Sequence, residues 1–217
     1  MKLNTTGVTN VAVGCGALDA NTSASSNTAV GGNALGANTT GADNTALGSS
    51  SMNSNTTGHS NVAVGHCALY TNTEGDTNTA VGHHALKLNT TAADNTGIGR
   101  NALCSTTTGC VNTALGSSAM QVNSTGDNNV AIGGSTLFNN TSADNNTAVG
   151  TNAMVANTTG ANNVAVGAGA LDANTTGVSH TAIGYGALGA NTTAHNNTAV
   201  GFNASQVSTT ATCNVMM

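Results

Sequence analysis

Residues 146–162 read NTAVGTNAMVANTTGAN, and residues 163–179 read NVAVGAGALDANTTGVS, the same pattern repeated without a gap. Sliding the chain against itself by seventeen places aligns Asn10, Asn27, Asn44, Asn61, Asn78, Asn95, Asn112, Asn129, Asn146, Asn163, Asn197 and Asn214 in one column, which only His180 interrupts. A short period held without insertion or deletion implies stacked units, each burying its apolar face against its neighbours.

Each unit has two halves. In the first, NTAVG, Thr or Val and then Val, Ile or Leu flank an Ala that faces the other way, as Val11 and Val13 flank Ala12 or Thr147 and Val149 flank Ala148. That is the period of two of a strand. A Gly stands four places after every leading residue, from Gly14 through Gly31 and Gly150 to Gly201. A place that takes only Gly needs positive φ or a close backbone approach, so it marks a corner. Four places further comes Leu or Met, as at Leu18, Leu35, Met52, Leu103, Met154 and Leu188, with Ser205 the exception. This is the expected core column, and the Ala before it (Ala17, Ala34, Ala68, Ala85) lets the walls approach closely.

The second half ends in Asn-Thr-Thr-Gly, at 38–41, 55–58, 157–160 and 174–177, a second corner built from turn residues. Asn27, Gly31, Leu35, Asn38 and Thr39 in one unit, and Asn146, Gly150, Met154 and Asn157 in another, are the expected structural ladder. Thr, Asn, Gly and Val are poor helix formers, and no apolar stripe of period 3.6 runs through the unit. The fold expected is all-β, a single parallel β-solenoid or β-roll over residues 1–217, with about 12–13 rungs. At about 4.8 Å per rung the rod is on the order of 60 Å long. Its thin core would be Val, Leu and Ala, with Asn bonding side chain to side chain along the stack as in cross-β assemblies.

Composition excludes several partners. Only 5% of the residues are charged and 2% aromatic, with no Pro, and Lys2, Lys87 and Arg100 are the only Lys or Arg. Three such cations cannot neutralise a phosphate backbone, so nucleic acid and anionic membranes are poor partners. No stretch is long and apolar enough to span a bilayer, and the start, MKLNTTGVT, lacks the apolar centre of a signal peptide. The five cysteines (Cys15, Cys67, Cys104, Cys110, Cys213) occupy five different places of the repeat, which suits free thiols rather than a disulfide framework.

The segment NVAIG at 129–133, with its siblings NTAVG and NVAVG, resembles the short strand repeat of YadA-like trimeric autotransporter adhesin heads. It is also similar to the repetitive shafts of phage tail fibres. The resemblance covers essentially the whole chain, although the rung here is longer. It implies a left-handed β-roll, chains side by side in threes, and an extracellular location or one on the virion surface. The implied function is adhesion, with a host surface or glycan as partner.

At the ends, the sequence 1–6 repeats 86–91 almost residue for residue, so the first residues fall mid-rung, and residues 214–217 fall in the strand of another. Met1, Leu3 and Asn4 of one copy could complete a rung with Asn214, Val215 and Met217 of the next, which predicts head-to-tail polymerisation. A segment cut from a longer fibre reads the same way.

Chemistry is sparse. His66 and Cys67 occupy the two places that His83 and His84 hold one rung later, and imidazole with thiolate is a transition-metal set. Strand alternation would place only His66 and His83 on one face, so these four are weak metal candidates and no cofactor is expected. His59, His180 and His195 are dispersed. Asp19, Asp43, Asp76, Asp94, Asp127, Asp144 and Asp172 stand at variable places read as exposed, and no catalytic arrangement is expected. Asn38, Asn55, Asn89, Asn157, Asn174 and Asn191 match the N-glycosylation pattern, but an internal ladder accounts for the same letters. Thr columns also suggest ice binding, against which adjacent Thr39 and Thr40 should face opposite ways. The leading expectation is a structural protein of a surface filament, adhesin or tail fibre, with an ice-binding solenoid as the alternative.

Overall fold

The computed structural model describes residues 1–206, 209 and 211–216. Among them, thirteen short strands run from β1 (Val11–Val13) through β9 (Thr147–Val149) to β12 (Thr198–Val200) and β13 (Val215–Met216). They form one parallel sheet in strict chain order. Every pairing has the same offset: Val11 faces Thr28, Thr147 faces Val164 and Thr198 faces Val215. The expected β-solenoid is therefore the fold, and at about 4.8 Å per step the thirteen strands span about 58 Å.

The core is narrower than the sequence suggested. The strand Ala faces inward, completely buried at Ala29, Ala46, Ala148 and Ala199, and packs on the Leu and Met column, which is likewise fully buried from Leu18 to Leu188. The Val, Ile and Leu that end each strand do not join it. Val13, Leu47, Ile98, Leu115, Ile132 and Ile183 all lie on the solvent side. Successive side chains of a strand point to opposite faces, so with the middle Ala turned inward the flanking pair points out.

The corner glycines are required on both counts anticipated. Their φ values run from 128° to 141°, and from Gly14 to Gly184 an added Cβ would run into the backbone of the next corner Gly. The second corner differs, because Gly41, Gly58 and Gly160 are not among the positive-φ glycines. Ala24, Ala92, Ala143 and Ala194 occupy the same place, buried, so smallness suffices there.

The core column itself is left-handed: Leu18, Leu35, Met52 and their successors have φ between 48° and 53°. For a side chain with a Cβ this costs about 1–2 kcal/mol. It is offset by burial of about 1.5–3 kcal/mol per side chain and by a hydrogen bond in which the Leu N–H donates to the next rung, as Leu18 N does to Ala34 O at 3.1 Å. The composition of the column reflects this. Val and Ile never stand here, in keeping with the poor tolerance of β-branched residues for left-handed backbone, although exposed Val111 and Thr77 adopt it at the place before the leading residue.

Two asparagines hold most rungs. The leading Asn uses Oδ1 to accept the backbone N–H of the next leading Asn, as Asn27 does from Asn44 at 3.0 Å. Its Nδ2 donates to the carbonyl fourteen residues on, Asn27 to Gly41 at 2.9 Å. The second Asn forms the expected direct ladder, Asn38 Nδ2 donating to Asn21 Oδ1 at 3.1 Å and Asn55 Nδ2 to Asn38 Oδ1 at 2.8 Å. It also donates to the carbonyl that the leading Asn uses, Asn38 to Gly41 at 2.9 Å. Both halves of a rung are thus clamped onto one oxygen. Only the second ladder is primarily side chain to side chain; the leading one runs mainly from side chain to backbone.

Candidate functional site

The threonine after the second Asn is occupied internally. Thr39 Oγ1 donates to Thr56 O at 3.0 Å, the carbonyl that also accepts the N–H groups of Thr39, Thr40 and Gly41. The next Thr points to solvent, since Thr39 is half-buried and Thr40 exposed. The acceptor-pattern asparagines Asn38, Asn55, Asn89, Asn157, Asn174 and Asn191 are all fully buried, so glycan cannot reach them in the folded rod.

The acidic residues are less idle than their variability suggested. Asp76, Asp127 and Asp144 share one place of the rung, next to the second corner, and each accepts the backbone N–H of that place in the rung before. His59 N donates to Asp76 Oδ1 at 2.8 Å, Cys110 N to Asp127 at 2.7 Å and Asp127 N to Asp144 at 2.8 Å. Ser25 and His195 do the same for Val8 and Val178. His59 also pairs with Asp76, Nε2 to Oδ2 at 3.2 Å. The repeated choice of an acceptor side chain at this place was readable in the sequence and was missed.

His180 is buried in the place of a leading Asn. His180 N donates to Asn163 Oδ1 at 2.9 Å, its Nδ1 accepts Asn197 N–H at 3.2 Å, and its Nε2–H donates to Ala194 O at 2.6 Å. The imidazole therefore reproduces both ends of an amide. Burial lowers its pKa below the ordinary histidine value, the two backbone contacts oppose that shift, and nearby His195 adds to it.

At the first corner, four potential ligands meet. Cys67 and His84, two places after the corner residues Gly65 and Gly82, have φ of 53° and 59°. This left-handed step breaks the alternation of a strand, so consecutive side chains project together instead of to opposite faces. Donor atoms of His66, Cys67 and His84 all lie within 4.8 Å of one another. The expectation that only His66 and His83 share a face is corrected accordingly. Cys67 Sγ is 3.6 Å from His66 Nε2. The His66 and His83 rings stack at 5.4 Å, and His83 and His84 lie 3.7 Å apart. The two rungs are tied directly behind this cluster by His84 N donating to His66 O at 3.1 Å. Partial burial lowers the pKa of His84, with further lowering from His83, Lys87 and His66.

Elsewhere the surface is simpler. All five cysteines are free, and burial raises the Cys104 thiol, with Lys87 opposing. An open groove lies where Gly169, Gly186 and Gly189 leave no side chains, lined by Asp172 and Tyr185. Burial raises the Asp172 carboxyl, opposed by backbone hydrogen bonds. Tyr185 and Phe202 stack at 5.3 Å.

The strand face carries no charged residue at any outward position from β1 to β13. It presents Thr or Val beside Val, Ile or Leu, rung after rung, in exact lateral alignment.

At the ends, Met1 and Leu3 are exposed. Asn4 Oδ1 accepts Asn21 Nδ2 at 2.9 Å, and Asn214 N donates to Asn197 Oδ1 at 3.0 Å, so both lie in the ladders as expected. Val215 is exposed on β13, and Met217 lies outside the described residues. No helix among the described residues is long and apolar enough to cross a membrane. No family model, no curated protein and no solved structure matches the chain.

Proposed function

We propose that this protein is a structural rod of an extracellular fibre, a bacterial surface filament or adhesin or a phage tail-fibre shaft, in which copies pack side by side along the strand face. The observation that supports this most is the uncharged apolar stripe. Val13, Leu47, Ile98, Leu115, Ile132, Val166, Ile183 and Val200 all stand exposed on that face. Isolated exposed aliphatics are ordinary, but a contiguous stripe running the length of a molecule marks an interaction surface. A flat surface lacking charge complements a second copy of itself, and two or three rods around an axis would each cover one stripe.

The mechanism is mechanical. Backbone and Asn ladders make the rod stiff, and variable corner residues such as Tyr70, Phe138 and Asp172 are displayed along it for a host surface or glycan. Sedimentation and electron microscopy of the purified chain test the reading. Oligomers or laterally paired rods are expected for the natural sequence, and single rods for the double variant Ile132→Glu, Val166→Glu, whose outward positions leave the core untouched. A natural chain that stays single at high concentration would sink the proposal.

Ice binding is the second reading. With the Thr39 column spent on backbone carbonyls, it rests on the strand face, whose Thr column and neighbouring aliphatic column form a regular plane. Thermal hysteresis by single rods would favour it over the fibre.

A further inference from the structure

We propose that His66, Cys67 and His84 form a binding site for a divalent transition-metal ion of the zinc class, joining two successive rungs at the first corner. The site stands apart from the strand face and from the fibre reading. Its donors come from two backbone segments already held together by the hydrogen bond from His84 N to His66 O, so the ion need not order a loop. One thiolate with two imidazoles suits zinc, and cobalt in its place, better than calcium or magnesium, which prefer oxygen.

Bonds of about 2.0–2.3 Å to a tetrahedral ion bring ligand atoms to about 3.3–3.8 Å from one another. The present spread of at most 4.8 Å closes by small side-chain rotations, which half-buried or exposed groups can make. On binding, the Cys67 thiol releases its proton to solvent and both histidines coordinate as neutral bases. Water takes the fourth position. The same two places in other rungs hold pairs such as Ser49 and Ser50, Arg100 and Asn101 or Tyr185 and Gly186, and Cys15 has only Gly16 and, one rung on, Gly32 and Asn33 beside it, so the set occurs once among the described residues.

Titration of the full-length chain with cobalt chloride tests this. One equivalent should produce tetrahedral cobalt absorption with a thiolate charge-transfer band, displaced by one equivalent of zinc. Cys67→Ser should abolish the charge-transfer band although Cys15, Cys104, Cys110 and Cys213 remain. His66→Ala and His84→Ala should each weaken binding by more than the about 10–100-fold typical of losing a supporting residue. His83→Ala, which spares all three donors, should keep the band. Circular dichroism checks that each variant retains the rod. Absence of the band, its survival in Cys67→Ser, unchanged affinity in His84→Ala, or its loss in His83→Ala would each overturn the assignment.

Discussion

Among the described residues the two Asn ladders are interrupted twice, at Thr106 and at His180, and the two interruptions behave differently. Thr106 stands where ten other rungs place the second Asn, from Asn21 to Asn191. Its hydroxyl is buried without a partner, and so is Asn89 Oδ1, which would have accepted the missing amide. Asn123 Nδ2, on the far side, keeps only its bond to Gly126 O at 3.0 Å, while its Oδ1 still accepts Asn140 Nδ2 at 2.9 Å. His180 instead preserves the leading ladder above and below itself, because an imidazole offers an acceptor and a donor on opposite sides of a ring at roughly the reach of an amide. Its cost falls on the other ladder. With Nε2–H already given to Ala194, the Asn191 amide nitrogen lies 3.1 Å from that ring nitrogen and finds no acceptor there. Asn191 Oδ1 turns to Ala194 N at 3.2 Å, and Asn174 Oδ1 is left unpartnered. What a ladder position demands is the donor and acceptor pair at the right reach, and polarity alone does not meet it.

The comparison is broken most forcefully in an intact rung. Asn38→Ala removes the donor to Asn21 and to Gly41 and the acceptor of Asn55, orphaning buried groups on both sides. At about 1–3 kcal/mol for each group left unsatisfied, the expected loss is on the order of 3–5 kcal/mol. Thr106→Ala, at the equivalent place, should cost less than about 1 kcal/mol, since the hydroxyl it deletes bonds to nothing. Urea unfolding of the two variants, monitored by circular dichroism, measures the contrast directly. Equal losses would mean that the Asn ladder contributes no more than its backbone.

Repairing the gap is the next largest effect. Thr106→Asn supplies a donor to Asn89 Oδ1 and to Gly109 O and an acceptor for Asn123, and should stabilise the chain by about 1–3 kcal/mol. Its unfolding midpoint should rise while the slope stays constant, because the surface exposed on unfolding barely changes. A lower midpoint would show that the rung had relaxed around Thr106 in a way Asn cannot reoccupy.

How much of this could be read from the sequence follows from which interactions repeat. Columns that meet the same neighbour in every rung, the corner Gly, the buried Leu and the two Asn, were legible as letters that never change. Directions were harder. Val13 and Ile132 look like core residues by type, and it is the inward turn of the small Ala beside each, Ala12 and Ala131, that sends them outward. His66, Cys67 and His84 looked divided between two faces because strand alternation was carried past Gly65 and Gly82 into left-handed backbone. That geometry was itself encoded, in the absence of Val and Ile from the Leu column and in the Asn, Ser and Gly that share the place of Cys67. The Asp76, Asp127 and Asp144 bonds escaped because each is optional: Ala42, Ala93 and Ala161 fill the same place and leave the fold standing.

His180 makes the last and smallest test. His180→Asn removes the ring that turns the Asn191 amide away, lets Asn191 Nδ2 donate to Asn174 Oδ1, and should stabilise the rod by about 1 kcal/mol at neutral pH. The difference should then depend on pH with a definite sign. Burial lowers the folded pKa of His180 below the unfolded value near 6.5, so between those two values the unfolded chain binds the extra proton and the folded chain does not. Stability contributed by the neutral ring is complete above about pH 6.5 and is lost as the pH falls through the folded pKa. The proton would also turn Nδ1 from the acceptor of Asn197 N–H into a second donor. Below about pH 6.5 the natural chain should therefore lose stability relative to His180→Asn. The contributions of His84 and Asp172 are common to both proteins and cancel in the difference. Thermal melts of the pair at a series of pH values read it out, and parallel profiles would show that His180 is not the neutral stand-in for an asparagine that its contacts require.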